Sequence, residues 1–241
     1  MTTRRILATS GGFRPGTWTT LKPGPLMQAA IDLSARPDAA RFCYLGTAMG
    51  DRPEVGFNVH EAFYGTAVQV SVASLLPSPN IADLREHLLS QDVIWVGGGS
   101  VAGLLALWRL HGLDDVMREA WEAGVVLAGV SAGSLCWHVG GPTDSFGPDL
   151  RAVTNGLALL PYGNGVHYDS EPGRRPLLHS LVADGTLPTS YATDDGVGLL
   201  YEGTDLVEAL SDRDDVAAYR VERDAAGAAV ETRIEPRRLP E

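Results

Sequence analysis

Residues 125–140, VVLAGVSAGSLCWHVG, constrain the fold more than any other stretch of the chain. An apolar run leads into Gly129-Val130-Ser131-Ala132-Gly133, and a helix-compatible run follows. A strand, a tight turn and a helix with G-x-S-x-G at the junction form a nucleophile elbow. The turn is sharp and strained, so it lifts the serine hydroxyl clear of the sheet. Strand and helix pass close together there, so small residues are needed two before and two after the serine. Gly129 and Gly133 meet that need. The amide of Ala132, at the start of the helix, can then face a developing oxyanion. A serine at a strand–helix turn can also be a plain helix cap, but a cap does not require the paired glycines.

The surrounding pattern extends this unit into an architecture. Apolar strands are expected at residues 4–10, 41–45, 67–75, 92–96 and 125–129, with helical spacing at 26–35, 55–63, 81–89 (capped by Asn80), 104–110 and 113–123. Continuous rather than alternating apolar runs, separated by helices, indicate a parallel sheet covered on both faces. The fold class is therefore α/β, a mostly parallel central sheet of flavodoxin-like type. Such sheets place their sites at the carboxyl ends of the strands, where Gly11-Gly12, Gly46, Gly97-Gly98-Gly99 and the elbow all fall. After residue 139 the texture changes. Residues 140–149 read as a loop, 165–168 as a short strand and 177–183 as a short helix. Residues 189–192 and 197–201 read as strands, as do 206–210 and 217–223. The last two are expected to close as a hairpin through 212–215. With no composition break, residues 1–241 read as a single domain with a C-terminal β extension, and 233–241 as a frayed, charged tail.

Composition narrows the function. The net charge of −11 argues against nucleic-acid binding. No stretch approaches the length of a membrane span and no signal-like h-region opens the chain, so a cytoplasmic protein is expected. Cys43 and Cys136 both lie in apolar runs, as buried free thiols do.

A nucleophilic serine needs a base and an orienting acid. Among six histidines, His167 ends a short apolar strand after a glycine-rich approach, the placement a base requires. His87, His111 and His179 fall on helical or inter-helical stretches, His60 lies in a helix, and His138 stands two turns past Ser131. The acid is left open among Asp195, Asp194 and Asp169. Asp194-Asp195-Gly196 also has ordinary turn chemistry. Asp144 and Asp149 follow Ser131 too closely to give the Ser, Asp, His order of an α/β-hydrolase. Gly98 and Gly99 can complete the oxyanion hole with Ala132. The run Gly97-x-Gly99-x-x-Ala102 also fits a dinucleotide loop, but it follows the fourth strand, without the acidic residue about 20 positions on.

These stretches together resemble the peptidase E / cyanophycinase family of serine peptidases, whose fold is similar to class I glutamine amidotransferases. The matching residues are Gly97-Gly98-Gly99, Gly129–Gly133, Gly165-Val-His167-Tyr and Asp195-Gly196, with Thr9-Ser-Gly-Gly12 and Gly46-Thr47-Ala48 also family-like. The resemblance implies Ser131 as nucleophile, His167 as base and an acid at Asp195, acting on short peptides through an acyl-enzyme, with no metal or cofactor and with a homodimer as the assembly. Aspartyl dipeptidases of the family usually carry Asn then Thr after the three glycines; this chain has Ser100-Val101. Ser100, Arg174 and Arg175 are the candidate substrate-binding residues, the arginines for a substrate carboxylate. A carboxypeptidase-like activity, an esterase or amidase, and a nucleotide-binding module are the alternatives.

Overall fold

A computed structural model describes residues 3–240. In chain order its elements are β1 (Arg5–Thr9), β2 (Phe13–Pro15), β3 (Leu21–Pro23), α1 (Pro25–Asp32), β4 (Arg41–Leu45), α2 (Pro53–Ala62), β5 (Gln69–Ala73), α3 (Leu84–Leu89), β6 (Val93–Val96), α4 (Val101–His111), α5 (Leu113–Ala123), β7 (Val126–Val130) and α6 (Ala132–Leu135). Then follow β8 (Gly141–Thr143), β9 (Arg151–Val153), β10 (Gly163–Gly165), α7 (Arg174–Ala183), β11 (Ser190–Thr193), β12 (Val197–Glu202), β13 (Asp205–Ser211), β14 (Ala218–Arg223), β15 (Ala229–Ile234) and β16 (Arg237–Arg238).

The main sheet has the order β16-β13-β12-β1-β7-β6-β4-β5. Its five strands from β5 to β1 are mutually parallel, and β12 joins antiparallel to β1. The apolar runs produce the two-faced burial that a parallel sheet needs. Along β7, Leu127 points into one core with α4 and α5, while Val126 and Ala128 point into the other with α1 and α2. The first core buries Leu104, Leu105, Trp108, Met117 and Trp121. The second buries Leu26, Met27, Ile31 and Val59. At 25 cal/mol per Å² of apolar surface, each such side chain contributes about 2 kcal/mol when withdrawn from water. Gly112 takes a left-handed φ of 70° between α4 and α5, which breaks the helical pattern where expected.

The second half departs from the sequence expectation in several places. β13 and β14 do not form a hairpin; each pairs with its other neighbour, β13 with β12 and β14 with β15. They therefore lie in different sheets, β14 in a four-stranded sheet ordered β10-β11-β14-β15. Gly203 at φ 58° makes the β12–β13 turn, and the β14–β15 turn is tied by Asp224 Oδ1, which accepts from Ala226 N and Ala228 N. α7 covers the smaller sheet through Leu178, Leu181 and Val182. Residues 140–149 are not all loop: β8 pairs with β9. The tail is not frayed through its length either, since β15 reaches Ile234 and Arg237–Arg238 pair with β13; Glu241 lies outside the described residues. α3 begins later than expected. Its cap is Asp83, whose carboxylate accepts from Glu86 N, while Asn80 instead binds Ser74 N and Val72 O. No helix among the described residues is long and apolar enough to cross a membrane.

Candidate active site

β7 ends at Val130 and the chain turns at Ser131 with φ 58° and ψ −111°. A non-glycine residue held there is strained, and such strain persists only where neighbours over-determine it. The neighbours do so. A β-carbon at Gly129 would stand 2.5 Å from the Gly133 carbonyl oxygen and 2.6 Å from that of Val96. One at Gly133 would collide with the Val96 carbonyl. The two glycines are therefore required by the close approach of turn, strand and β6, as the motif implies. The helix beyond is shorter than its sequence suggests: α6 is a single turn. His138 consequently sits off the helix, fully buried, with Nδ1 2.9 Å from Ser134 O and Nε2 3.5 Å from Tyr201 Oη. Burial pushes its pKa down to about 4. It is a core histidine, not a base.

The loop after β6 lies against the elbow. A β-carbon at Gly98 would be 3.3 Å from Ser131 Cβ and 3.8 Å from its Oγ. Gly99 takes φ 126° beside the Ala48 carbonyl, which accepts the amide of Ser100 at 2.9 Å. The amides of Gly98, Gly99 and Ala132 donate to no carbonyl among the described residues. Gly98 and Ala132 are the two of these that lie directly against the serine.

His167 follows β10, itself at φ 53°. Its Nδ1 is 2.5 Å from Asp195 Oδ1, with both side chains partly exposed. The three candidate acids separate by their contacts. Asp195 alone reaches the imidazole. Asp194 is buried, and its Oδ2 accepts from Ala217 N at 2.9 Å and Tyr219 Oη at 3.2 Å. Desolvation raises its pKa. Asp169 Oδ1 accepts the Asp195 amide at 2.8 Å, bracing the turn that carries Asp195 rather than touching the histidine.

Ser131 and His167 line one cleft of about 360 Å³ with Gly99, Ser100, Asp144, Ser145, Glu171 and Arg174. Of the candidate substrate residues, Ser100 is at the cleft but also caps α4, its Oγ accepting from Gly103 N at 3.1 Å. Arg174 is there too, buried, with Nε 2.7 Å from Glu171 and Nη1 2.8 Å from Pro142 O. Arg175 is not. It binds Glu231 at 2.9 Å and stacks over Tyr168 and Tyr219, each ring centroid 4.5 Å away. The sequence reading also missed Glu171 and Ser145, and gave Asp144 no place in the site. No motif marks Glu171 or Ser145; only the fold brings residues 144–145 and 171–174 to the serine.

These features can be set against known proteins. The model of peptidase family S51 matches residues 7–209. The chain belongs to peptidase family S51. It is 38% identical over 220 residues to an uncharacterized peptidase, YgaJ, of Bacillus subtilis, covering 90% of this chain and 92% of that one. It is 30% identical over 167 residues to peptidase E of Shewanella denitrificans, covering 64% of this chain and 71% of the other. The fold is similar to a putative peptidase E of Listeria monocytogenes (TM-score 0.60, 15% identity, 85% of this chain and 97% of that one). It is also similar to a peptidase from an acI-B1 actinobacterium (TM-score 0.62, 15% identity, 97% and 95%). This S51 member is a serine peptidase with a mixed α/β fold around a mostly parallel sheet.

Proposed function

We propose that this S51 peptidase is a cytoplasmic exopeptidase hydrolysing short peptides, with Ser131, His167 and Asp195 as its triad. The observation that carries the reading is the 2.5 Å contact of Asp195 Oδ1 with Nδ1 of His167, which lines the same cleft as Ser131. A carboxylate on Nδ1 holds that nitrogen as the N–H and leaves Nε2 as the acceptor. Ser131 Oγ attacks the scissile carbonyl carbon while Nε2 takes its proton. The negative oxygen is held by the amides of Ala132 and of Gly98 or Gly99. The C–N bond breaks as the imidazolium returns the proton to the leaving amine. A water, deprotonated by His167, then attacks the acyl-enzyme carbonyl and releases the acid and free Ser131.

Arg174 favours recognition of a substrate carboxylate, because its guanidinium is buried at the cleft wall. That carboxylate belongs either to a substrate side chain, as in a dipeptidase E-like enzyme, or to the peptide's own C-terminus. A library of free, N-blocked and C-amidated dipeptides and tripeptides tests this. Cleavage that requires a free N-terminus supports the dipeptidase; cleavage of N-blocked but not C-amidated peptides makes the enzyme carboxypeptidase-like. Hydrolysis of simple esters with no peptide cleaved contradicts both.

A further inference from the structure

We propose that Ser10 is a positioning residue for the histidine of the triad: its hydroxyl accepts the backbone N–H of His167 and fixes where the imidazole stands. The inference rests on the reading of His167 as general base. Ser10 is the first residue past β1 and is buried. Its Oγ lies 3.1 Å from His167 N and 2.7 Å from Thr193 Oγ1. A serine hydroxyl has one hydrogen and two acceptor sites. Accepting from His167 leaves that hydrogen for Thr193, whose hydroxyl and carbonyl both lie within reach. Thr193 O in turn accepts from Tyr168 N at 3.1 Å. Residues 167–168 are thus pinned to β11 at two consecutive amides, one directly and one through Ser10.

This clamp bears on a strained backbone. His167 sits at φ 53°, a left-handed conformation that strains a non-glycine residue. Ser10 and its neighbour Thr9 also hold the backbone at and beside the other members of the triad. Thr9 O accepts the Ser131 amide at 3.0 Å, and Ser10 O accepts the amide of Gly196, next to Asp195, at 2.9 Å. The end of β1 is where the elbow, the base strand and the acid turn are registered against one another. Only one of these ties, the one to His167, runs through a side chain. An alanine at position 10 keeps the backbone bonds from Ser10 N to Val197 O and from Gly196 N to Ser10 O. It removes the acceptor of the His167 N–H, which is left unpaired, together with the hydroxyl contact to Thr193.

The test compares Ser10→Ala and Thr193→Val with wild type and with His167→Ala. It measures peptide kcat and KM, the rate at which a fluorophosphonate labels Ser131, and the melting temperature. The label reports the serine–base pair without peptide binding. Ser10→Ala is expected to lower kcat and the labelling rate together, by about 10- to 100-fold as a displacement of the base of about 1 Å would, with KM nearly unchanged. Thr193→Val, which removes only the partner of the Ser10 hydroxyl, is expected to lower both by less. Labelling and kcat at the wild-type level in Ser10→Ala overturn the proposal, whatever the melting temperature does. Should Ser10→Ala not fold, Ser10→Cys, which puts a far weaker acceptor at the same place, replaces it, and wild-type labelling in that variant overturns the proposal. Failure of the underlying reading is distinct: labelling of His167→Ala at the wild-type rate removes the base itself, whereas an inert His167→Ala beside an unaffected Ser10→Ala removes only the role of Ser10.

Discussion

Ser131 and His167 reach one cleft from structures of different kinds. Ser131 stands at the end of β7, with β1 on one side and β6 on the other, and its strained turn is packed so closely on the Val96 carbonyl of β6 that only glycine fits at 129 and 133. His167 follows β10 in the smaller sheet, and Asp195 lies where the chain leaves that sheet at β11 and enters the larger one at β12. Their placement is enforced by hydrogen bonds between residues far apart in sequence: His167 N to Ser10 Oγ, Asp195 N to Asp169 Oδ1, Gly196 N to Ser10 O. The serine side is a motif at a strand end between β1 and β6. The histidine side is a junction of two sheets. Substitutions on the first act through packing, and those on the second through geometry.

The sharpest way to break this contrast is to exchange the neighbouring acids. Asp195→Asn removes the carboxylate at His167 Nδ1 and is expected to lower kcat by about 10³- to 10⁴-fold with the fold intact by circular dichroism. Asp194→Asn keeps an oxygen for Ala217 N and Tyr219 and is expected to retain wild-type turnover. Because the Asp194 pKa is raised, chiefly by desolvation, its charge costs more in the fold than in the unfolded chain. Stability supplied by its protonated form is therefore lost as pH rises through its elevated range, and the asparagine should flatten that part of the curve. Equal loss of turnover in both variants would merge the two roles.

On the serine side, Gly133→Ala forces a β-carbon into the Val96 carbonyl. It is expected to destabilise the fold by about 3 kcal/mol, read by chemical denaturation. A neutral result would mean that the turn is not sterically fixed. His138, behind the elbow, gives a pH effect of similar size. Its pKa falls from 6.5 to about 4 through burial, so the unfolded chain binds the proton first. Its contribution is full above pH 6.5 and is lost as pH falls towards 4, an acid limb of at most about 3 kcal/mol. His138→Gln should flatten that limb. The smallest effect belongs to the arginine pair. Arg175→Ala, losing its place over Tyr168 and Tyr219, should cost about 1 kcal/mol of stability with KM unchanged, whereas Arg174→Ala should raise KM for a substrate carrying the recognised carboxylate.

The same contrast explains what was legible in the sequence. The five parallel strands and the elbow could be read because their determinants, apolar runs and glycines at fixed offsets, are local. His167 was legible from its glycine-rich approach, although the strand expected over 165–168 lies at Gly163–Gly165 and ends two residues before it. The choice between Asp194 and Asp195 was not, because both occupy one turn and only long-range partners separate them: Ala217 and Tyr219 for one, His167 for the other. Arg174 and Arg175 are adjacent in the chain yet point to the cleft and to the smaller sheet, a divergence that depends on the orientation of α7. The assumed β13–β14 hairpin failed for a related reason. Turn-forming residues 212–215 look like a hairpin loop, but Asp212 is engaged by Gly196 O at its amide and by Arg14 at its carboxylate, and the chain crosses between sheets there.

The central claim is that Ser131 is made nucleophilic by a histidine that Asp195 orients. Active-site labelling with a fluorophosphonate, followed by peptide mapping by mass spectrometry in wild type, Ser131→Ala and Asp195→Asn, tests it most directly. The account predicts one adduct, on the peptide carrying Ser131, absent in Ser131→Ala and formed far more slowly in Asp195→Asn. An adduct on another residue, or one formed at the same rate without the Asp195 carboxylate, would contradict it.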